Sequence, residues 1–321
     1  MTVRPFDWRD FPALYRNRHQ STFLDSALVL TRGPLLVPGA LFSYLAPSMG
    51  ILTAVSRCDG HENGHLIGQV MHSVGAPYGH LTFLTPSSAL DSPALNEIVE
   101  YMARAVGEQG GYRLLADANE FSDAFEALRR CSFAIYTRQR IWSLTKPTET
   151  DPPDLGWRMA SSRDAIPIRS LYNNVVPGLV QQVEPFDSHN PRGLVYYQGD
   201  NLLAFVELKY GGRGIWANPI VHPDVENVGE WFANLFCKLP YRRSRPVYFC
   251  IRSYQSWLEP AIEDLGAEPG PRQAVMVKHL AIQQKAVRVF SLPALEGGHA
   301  EVSAPIVRTE INNRYGTAKD Y

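Results

Sequence analysis

Arg4-Pro5-Phe6-Asp7-Trp8-Arg9-Asp10-Phe11-Pro12-Ala13-Leu14-Tyr15 opens the chain, and Arg158-Met159-Ala160-Ser161-Ser162-Arg163-Asp164 opens it again, running into an apolar stretch that ends at Leu171-Tyr172. Each passage places an Arg, four residues, and then Arg-Asp at the mouth of a helix-like segment. A second echo closes each half: Leu128 to Gln139 ends in Arg138-Gln139, and Ile262 to Gln273 ends in Arg272-Gln273. Similarity at so long a spacing predicts two copies of one domain rather than a short-repeat solenoid.

The chain has 321 residues, enough for about two domains that each bury a core. Its apolar fraction of 45% and charged fraction of 20% are those of a soluble globular protein. A net charge of −1 supplies no global field toward nucleic acid or an anionic membrane. The clusters Arg242-Arg243 with Arg245, and Arg138 with Arg140, read as solvated surface charge. Cys58, Cys131, Cys237 and Cys250 form no Cys-x-x-Cys pair, which argues against a zinc or redox motif and for a reducing, cytoplasmic location. The N-terminus carries Arg4 and Asp7 and lacks the apolar core of a signal peptide. Gly33 to Val55 is free of charge, but Pro34, Pro38 and Pro47 with Gly33, Gly39 and Gly50 divide it. It reads as a short helix, a loop and the start of a strand, not as a membrane span.

Periodicity gives an ordered set of elements. A strand over 3–6 precedes a helix opened by Arg9-Asp10, with Phe11, Leu14 and Tyr15 apolar, and a second helical stretch covers 21–31. Strands are expected at Gly50–Arg57, Leu66–Val74 and His80–Leu84, the first two joined by a turn containing Asn63-Gly64. Ser92 is read as the cap of a helix running to about Gly107, with Leu95, Ile98, Val99, Met102 and Val106 inward. A strand at Arg113–Ala116, a helix over 121–130 and a strand at Ala134–Leu144 complete residues 1–145. The Pro-rich, polar segment 146–155 reads as a linker. From 156 to 284 the order repeats: a strand over 157–159, a helix from Asp164, a helical stretch at Val175–Val183, and strands at Leu194–Gln198, Leu202–Lys209 and Gly214–Val221. A helix over 228–238, a strand at Val247–Ile251, a helix over 255–265 and a strand at Ala274–Ile282 follow. Residues 285–321 read as an extension. The expected class is an α/β (α+β) layer protein of two domains, each a mixed, mostly antiparallel sheet flanked by helices.

This order, with these residues, resembles the GNAT acyltransferase family over about 1–145 and 156–283. Val3-Arg4-Pro5-Phe6 to Asp10 fits the family's opening, and Ile220-Val221-His222-Pro223-Asp224 looks like the end of its fourth strand. The resemblance implies that this strand splays from the fifth and that acetyl-CoA, or another acyl-CoA, enters the gap with its pantetheine pairing to strand backbone. It also implies a loop of small residues whose free N–H groups and helix dipole hold the pyrophosphate. Carried onto this chain, the cofactor positions are Leu84, Ala89, Leu90, Asp91, Ser92 and Ala94 in the first half, and Ile220, Val221, Asn227, Val228 and Gly229 in the second. The chain departs from the pattern at Glu226 and Glu230, whose carboxylates oppose a pyrophosphate, and at Trp231, expected to crowd the loop. Pro93 removes a donor. The family's Tyr general acid is replaced by Leu128 and by Ile262, neither of which gives a proton.

Acyl transfer needs a base for the amine. Glu207 on a central strand and His222 just past the splayed strand are available in the second half; His72 and His80 lie on or beside strands in the first. His61-Glu62-Asn63-Gly64-His65 matches a zinc motif in letters, but its Asn-Gly predicts a turn where the chemistry needs a helix; no metal is expected. The aromatics Trp216, Trp231, Phe232, Phe236 and Trp257 read mostly as core, with Trp216 also placed to line a pocket. The expectation is an acyl-CoA-dependent N-acyltransferase, an N-acetyltransferase by resemblance, acting on an amine of a small molecule or peptide. The competing expectation is a non-catalytic protein with degenerate CoA sites, in which one or both halves lost CoA and kept the cleft for another ligand or serve as an interaction scaffold.

Overall fold

In a computed structural model, residues 3–46, 49–58, 64–73, 75–146, 155–186 and 191–280 are described. The first half contains β1 (Arg4–Pro5), α1 (Phe11–Asn17), β2 (Thr22–Phe23), α2 (Ser26–Arg32), α3 (Leu36–Leu45), β3 (Ile51–Arg57), β4 (His65–Met71), β5 (Tyr78–Thr85), α4 (Ala94–Glu108), β6 (Arg113–Asn119), α5 (Asp123–Arg130) and β7 (Ala134–Leu144). The second contains β8 (Arg158–Met159), α6 (Ala165–Val175), α7 (Gly178–Val183), β9 (Gly193–Gln198), β10 (Asn201–Tyr210), β11 (Ile215–Val221), α8 (Val228–Lys238), β12 (Val247–Arg252), α9 (Glu259–Asp264) and β13 (Glu268–His279). Residues 147–154 of the expected linker, most of the His-Glu-x-x-His segment and the C-terminal extension lie outside the described residues.

The duplicated opening is one ion pair built twice. Arg4 donates to both Asp10 oxygens at 2.7 Å, and Arg158 to both Asp164 oxygens at 2.8 and 2.6 Å. Each Asp also accepts the backbone N–H three residues before it, from Asp7 and from Ser161, both at 2.8 Å. The Asp thereby caps the first turn while the Arg, six residues back, neutralises it.

The α/β expectation is met by one continuous mixed sheet rather than two separate ones. Its order is β1-β3-β4-β5-β6-β13-β7-β12-β11-β10-β9-β8, with β2 on β5. All neighbours are antiparallel except β5–β6 and β11–β12. The last strand of each half sits beside the other half's parallel pair: β13 on β6, and β7 on β12. The two then pair with each other, Gln139 opposite Gln273, with Gln139 Nε2 donating to Gln273 Oε1 at 2.8 Å. The second sequence echo therefore meets itself at the middle of the sheet. Packing follows the exchange. Ala274 and Met276 of β13 enter the core of the first half beneath α4 and α5. Trp142 and Leu144 of β7 enter the core of the second half beside Trp231, Phe232 and Phe249.

Three local readings change. Thr22-Phe23 is a strand, and the helix read over 21–31 begins at Ser26, because Asp25 accepts the Leu28 N–H at 2.9 Å as a cap. Ser92 does not cap α4: its hydroxyl donates back to the Ala89 carbonyl at 2.7 Å and the helix begins at Ala94. Residues 253–258 form a tighter turn, with helix only from Glu259. Among the described residues no single helix is long and apolar enough to cross a membrane; α2 and α3 together reach the composition but are bent by 103°.

Candidate functional site: two closed slots and a charged cavity

Each parallel pair splays, as the resemblance implies. β5 and β6 pair from Tyr78–Arg113 to His80–Leu115 and then separate; β11 and β12 pair from Ile215–Val247 to Ala217–Phe249 and then separate. Parting exposes backbone N–H and C=O groups, which must find partners. In both halves the chain supplies them itself.

In the first half, β2 pairs with the outer part of β5, Thr22 opposite Leu84 and Phe23 opposite Phe83. The next residue spans the gap: Leu24 N–H donates to Thr82 O at 2.9 Å, and Leu24 O accepts from Asp117 N–H at 2.8 Å. Leu24 is fully buried. In the second half a side chain does the same work. Gln255 accepts the Val221 N–H on Oε1 and donates from Nε2 to Pro219 O, both at 2.8 Å. A primary amide has the donor and acceptor of a peptide, so Gln255 pairs with β11 as a piece of strand would. It is 1% exposed.

The predicted cofactor positions divide accordingly. Leu84 and Val221 face these internal partners, and Ile220 is buried. Ala89, Leu90 and Ala94 are buried in the core under α4. Asp91 is exposed and paired with Arg130 at 2.8 Å. Asn227 adopts the left-handed conformation ahead of α8, followed by Val228, and a Cβ on Gly229 would meet nothing. Trp231 does not crowd this loop; it is buried against Trp157 and Phe232 at ring distances of 4.7 and 4.6 Å. Leu128 and Ile262, in place of the general acid, are fully buried.

Two of the four candidate bases meet. His80 on β5 and Glu207 on β10, from opposite halves, line one cavity of about 350 Å³. His222 lies elsewhere, half-buried beside Asp224 at 3.4 Å. His72 is buried and satisfied by Gln109 and the Ala76 carbonyl. Trp216 is buried and also lines the cavity, whereas Trp257 is 40% exposed rather than core.

Periodicity could not reveal the other residues of this cavity. Glu184, just past α7, holds Arg252 at 3.0 and 3.1 Å and accepts the Tyr136 hydroxyl from the first half. Burial opposes a charge on Glu184, but Arg252 and Tyr136 outweigh it and keep the carboxyl below its ordinary range. Arg252 Nη1 is buried without a hydrogen-bond partner among the described residues. Asp117 and Asp25 also line the cavity. Burial, and then Asp25, raise the Asp117 carboxyl above its ordinary value, although it accepts the Ser26 N–H at 3.1 Å. Glu207 accepts from Asn218 at 3.4 Å and lies 3.8 Å from Lys209. Carboxylates and cations thus face one small space from both halves, and several have capacity to spare. Among the described residues no group of three metal-ligating side chains occurs.

No protein-family model and no curated protein matches the chain. Solved structures similar to it include GNAT acetyltransferases. A tandem GNAT protein from the clavulanic acid biosynthesis pathway is 13% identical, with 87% of this chain and 98% of that chain covered and a TM-score of 0.49. A GCN5-related N-acetyltransferase from Sphaerobacter thermophilus is 11% identical over 87% and 95%, at 0.48. An acetyltransferase of the GNAT family from Colwellia psychrerythraea is 13% identical over 87% and 100%, at 0.42.

Proposed function

We propose that this chain binds a small zwitterionic molecule, one bearing both an amine and a carboxylate, in the cavity between its halves, and that its strand slots do not take acyl-CoA. One observation carries the reading: both slots are filled by the chain's own hydrogen bonds, Leu24 in one and Gln255 in the other. Pantetheine entering either would have to displace a buried group hydrogen-bonded through both its donor and its acceptor. The cavity is different. Asp117 and Glu207 offer acceptors for an ammonium, and the unpartnered Arg252 Nη1 with Lys209 offers donors for a carboxylate. Its volume of about 350 Å³ suits an amino acid or a related metabolite.

Thermal unfolding in the presence of free amino acids, amino-acid derivatives and dipeptides tests this. A ligand at about a hundred times its Kd adds about 2.7 kcal/mol to stability. The reading predicts a rise in Tm with at least one zwitterion, lost in Glu207→Gln. No shift with any of them contradicts it.

A second reading is favoured by the meeting of His80 and Glu207: N-acyl transfer from acetyl-CoA or another acyl-CoA to an amine held in the same cavity. Either residue would take the amine proton as the amine attacks the thioester carbonyl and the thiolate leaves. This requires Thr22–Leu24 to quit the edge of β5. Thiol release from acetyl-CoA that depends on the zwitterion and is lost in Glu207→Gln would establish it over the first.

A further inference from the structure

The segment that closes the first slot divides two cavities. Asp25 and Ala27 face the charged one, while Thr22, Phe23, Leu24, Ser26, Val29 and Leu30 face a second cleft of about 650 Å³. The far wall of this cleft is Ile141 of β7, Tyr248 of β12 and the Pro269–Pro271 run of β13, and Leu90 and Ala124 close its end. The strand exchange makes this wall, because it brings β7, β12 and β13 together beneath α2.

The chemistry of the cleft is one-sided. Phe23, Val29, Leu30 and Tyr248 are only half-buried, so apolar surface faces the space. The charged residues lining it are Asp117, Asp123 and Glu268; no Lys, Arg or His lines it among the described residues. Asp123 and Glu268 are exposed at its rim, and Asp117 stands at the inner wall. Apolar walls reward an apolar body, whereas three carboxylates repel an anion and attract a cation. Hydroxyls of Ser87 and Ser122 add neutral polar contacts.

We infer that this cleft is a binding site for a lipophilic amine, a protonated nitrogen on an aromatic or aliphatic body. The inference does not rest on the ligand of the charged cavity and survives its failure. It also disfavours a polyphosphate here, since no cationic side chain lines the cleft among the described residues and three carboxylates do.

Calorimetry of the full-length protein with tryptamine, tryptophol and indoleacetate at low salt tests it, because the three share a ring and differ in charge. The expected order is tryptamine bound about tenfold more tightly than tryptophol, with indoleacetate weakest. Asp123→Asn with Glu268→Gln, two exposed positions, should bring the amine to within about threefold of the alcohol and leave the alcohol unchanged. Leu30→Trp, which fills the cleft, should abolish both. Absence of tryptamine binding, indoleacetate binding as tightly as the amine, full amine affinity in the double variant, or displacement of the amine by acetyl-CoA would each overturn the assignment.

Discussion

Single side chains decide whether the slots are open. Gln255→Leu keeps the bulk of Gln255 but leaves Val221 N–H and Pro219 O without partners. Two orphaned buried groups predict a loss of about 2–4 kcal/mol in denaturant unfolding. Glu184→Gln leaves Arg252 buried beside a neutral amide, and about 3–5 kcal/mol is expected for breaking such a pair. Its pH dependence has a definite sign. The Glu184 carboxyl is lower in the folded chain than in the unfolded one. Its stabilisation is therefore complete above the ordinary carboxylate value of about 4.3, and fades as pH falls through the folded value. Glu184→Gln should remove that part of the acid sensitivity. Asp117 has the opposite sign: raised in the fold, its ionised form is a burden at neutral pH that lifts on acidification. Asp117→Asn should keep or raise Tm while losing the zwitterion, a pattern found where a binding site is strained. None of this was visible in the order of residues. Gln255 opens the stretch read as a helix and belongs to no motif, and its role arises only because its amide copies a peptide. The duplicated Arg and Asp were visible, because a bond between positions six apart needs nothing from the rest of the fold.

At the scale of elements, long amphipathic segments were legible and short paired ones were not. Leu95, Ile98, Val99, Met102 and Val106 marked the buried face of α4. The two residues of β2 are too few to show a period, so the apolar run through Leu30 read as one helix. Asp25-Ser26 was the missed signal: an Asp before a helical run is a cap, and a helix that starts at Ser26 frees Thr22–Leu24 to extend. If β2 is a fixed plug, the amides of Leu24 and Asp117 exchange as slowly as those of the central strands, and acetyl-CoA leaves their rates unchanged. Fast exchange at either would mean that the plug opens readily and would favour the acyl-transfer reading.

Across the whole molecule, the repeat predicted two halves with one order of elements, and the observed order follows it apart from β2 in the first half and the shortened α9 in the second. The exchange of last strands lies beyond any one-dimensional reading, because β7 and β13 carry the same pattern whichever parallel pair they join. It has a mechanical consequence. The core of the first half includes Ala274 and Met276, and that of the second includes Trp142 and Leu144. Residues 1–145 expressed alone should therefore fail to give a cooperative unfolding transition, whereas the intact chain gives one. A stable, cooperatively folding 1–145 fragment would contradict the exchanged packing. The same interlocking sets the two slots on either side of one charged cavity and explains why that cavity draws its residues from both halves.

The account turns on the slots being shut, and calorimetric titration of the intact protein with acetyl-CoA asks this directly. It predicts no saturable heat up to about 1 mM, an affinity weaker than about −4 kcal/mol. Saturable binding at micromolar concentration, weakened by filling either slot, would contradict it.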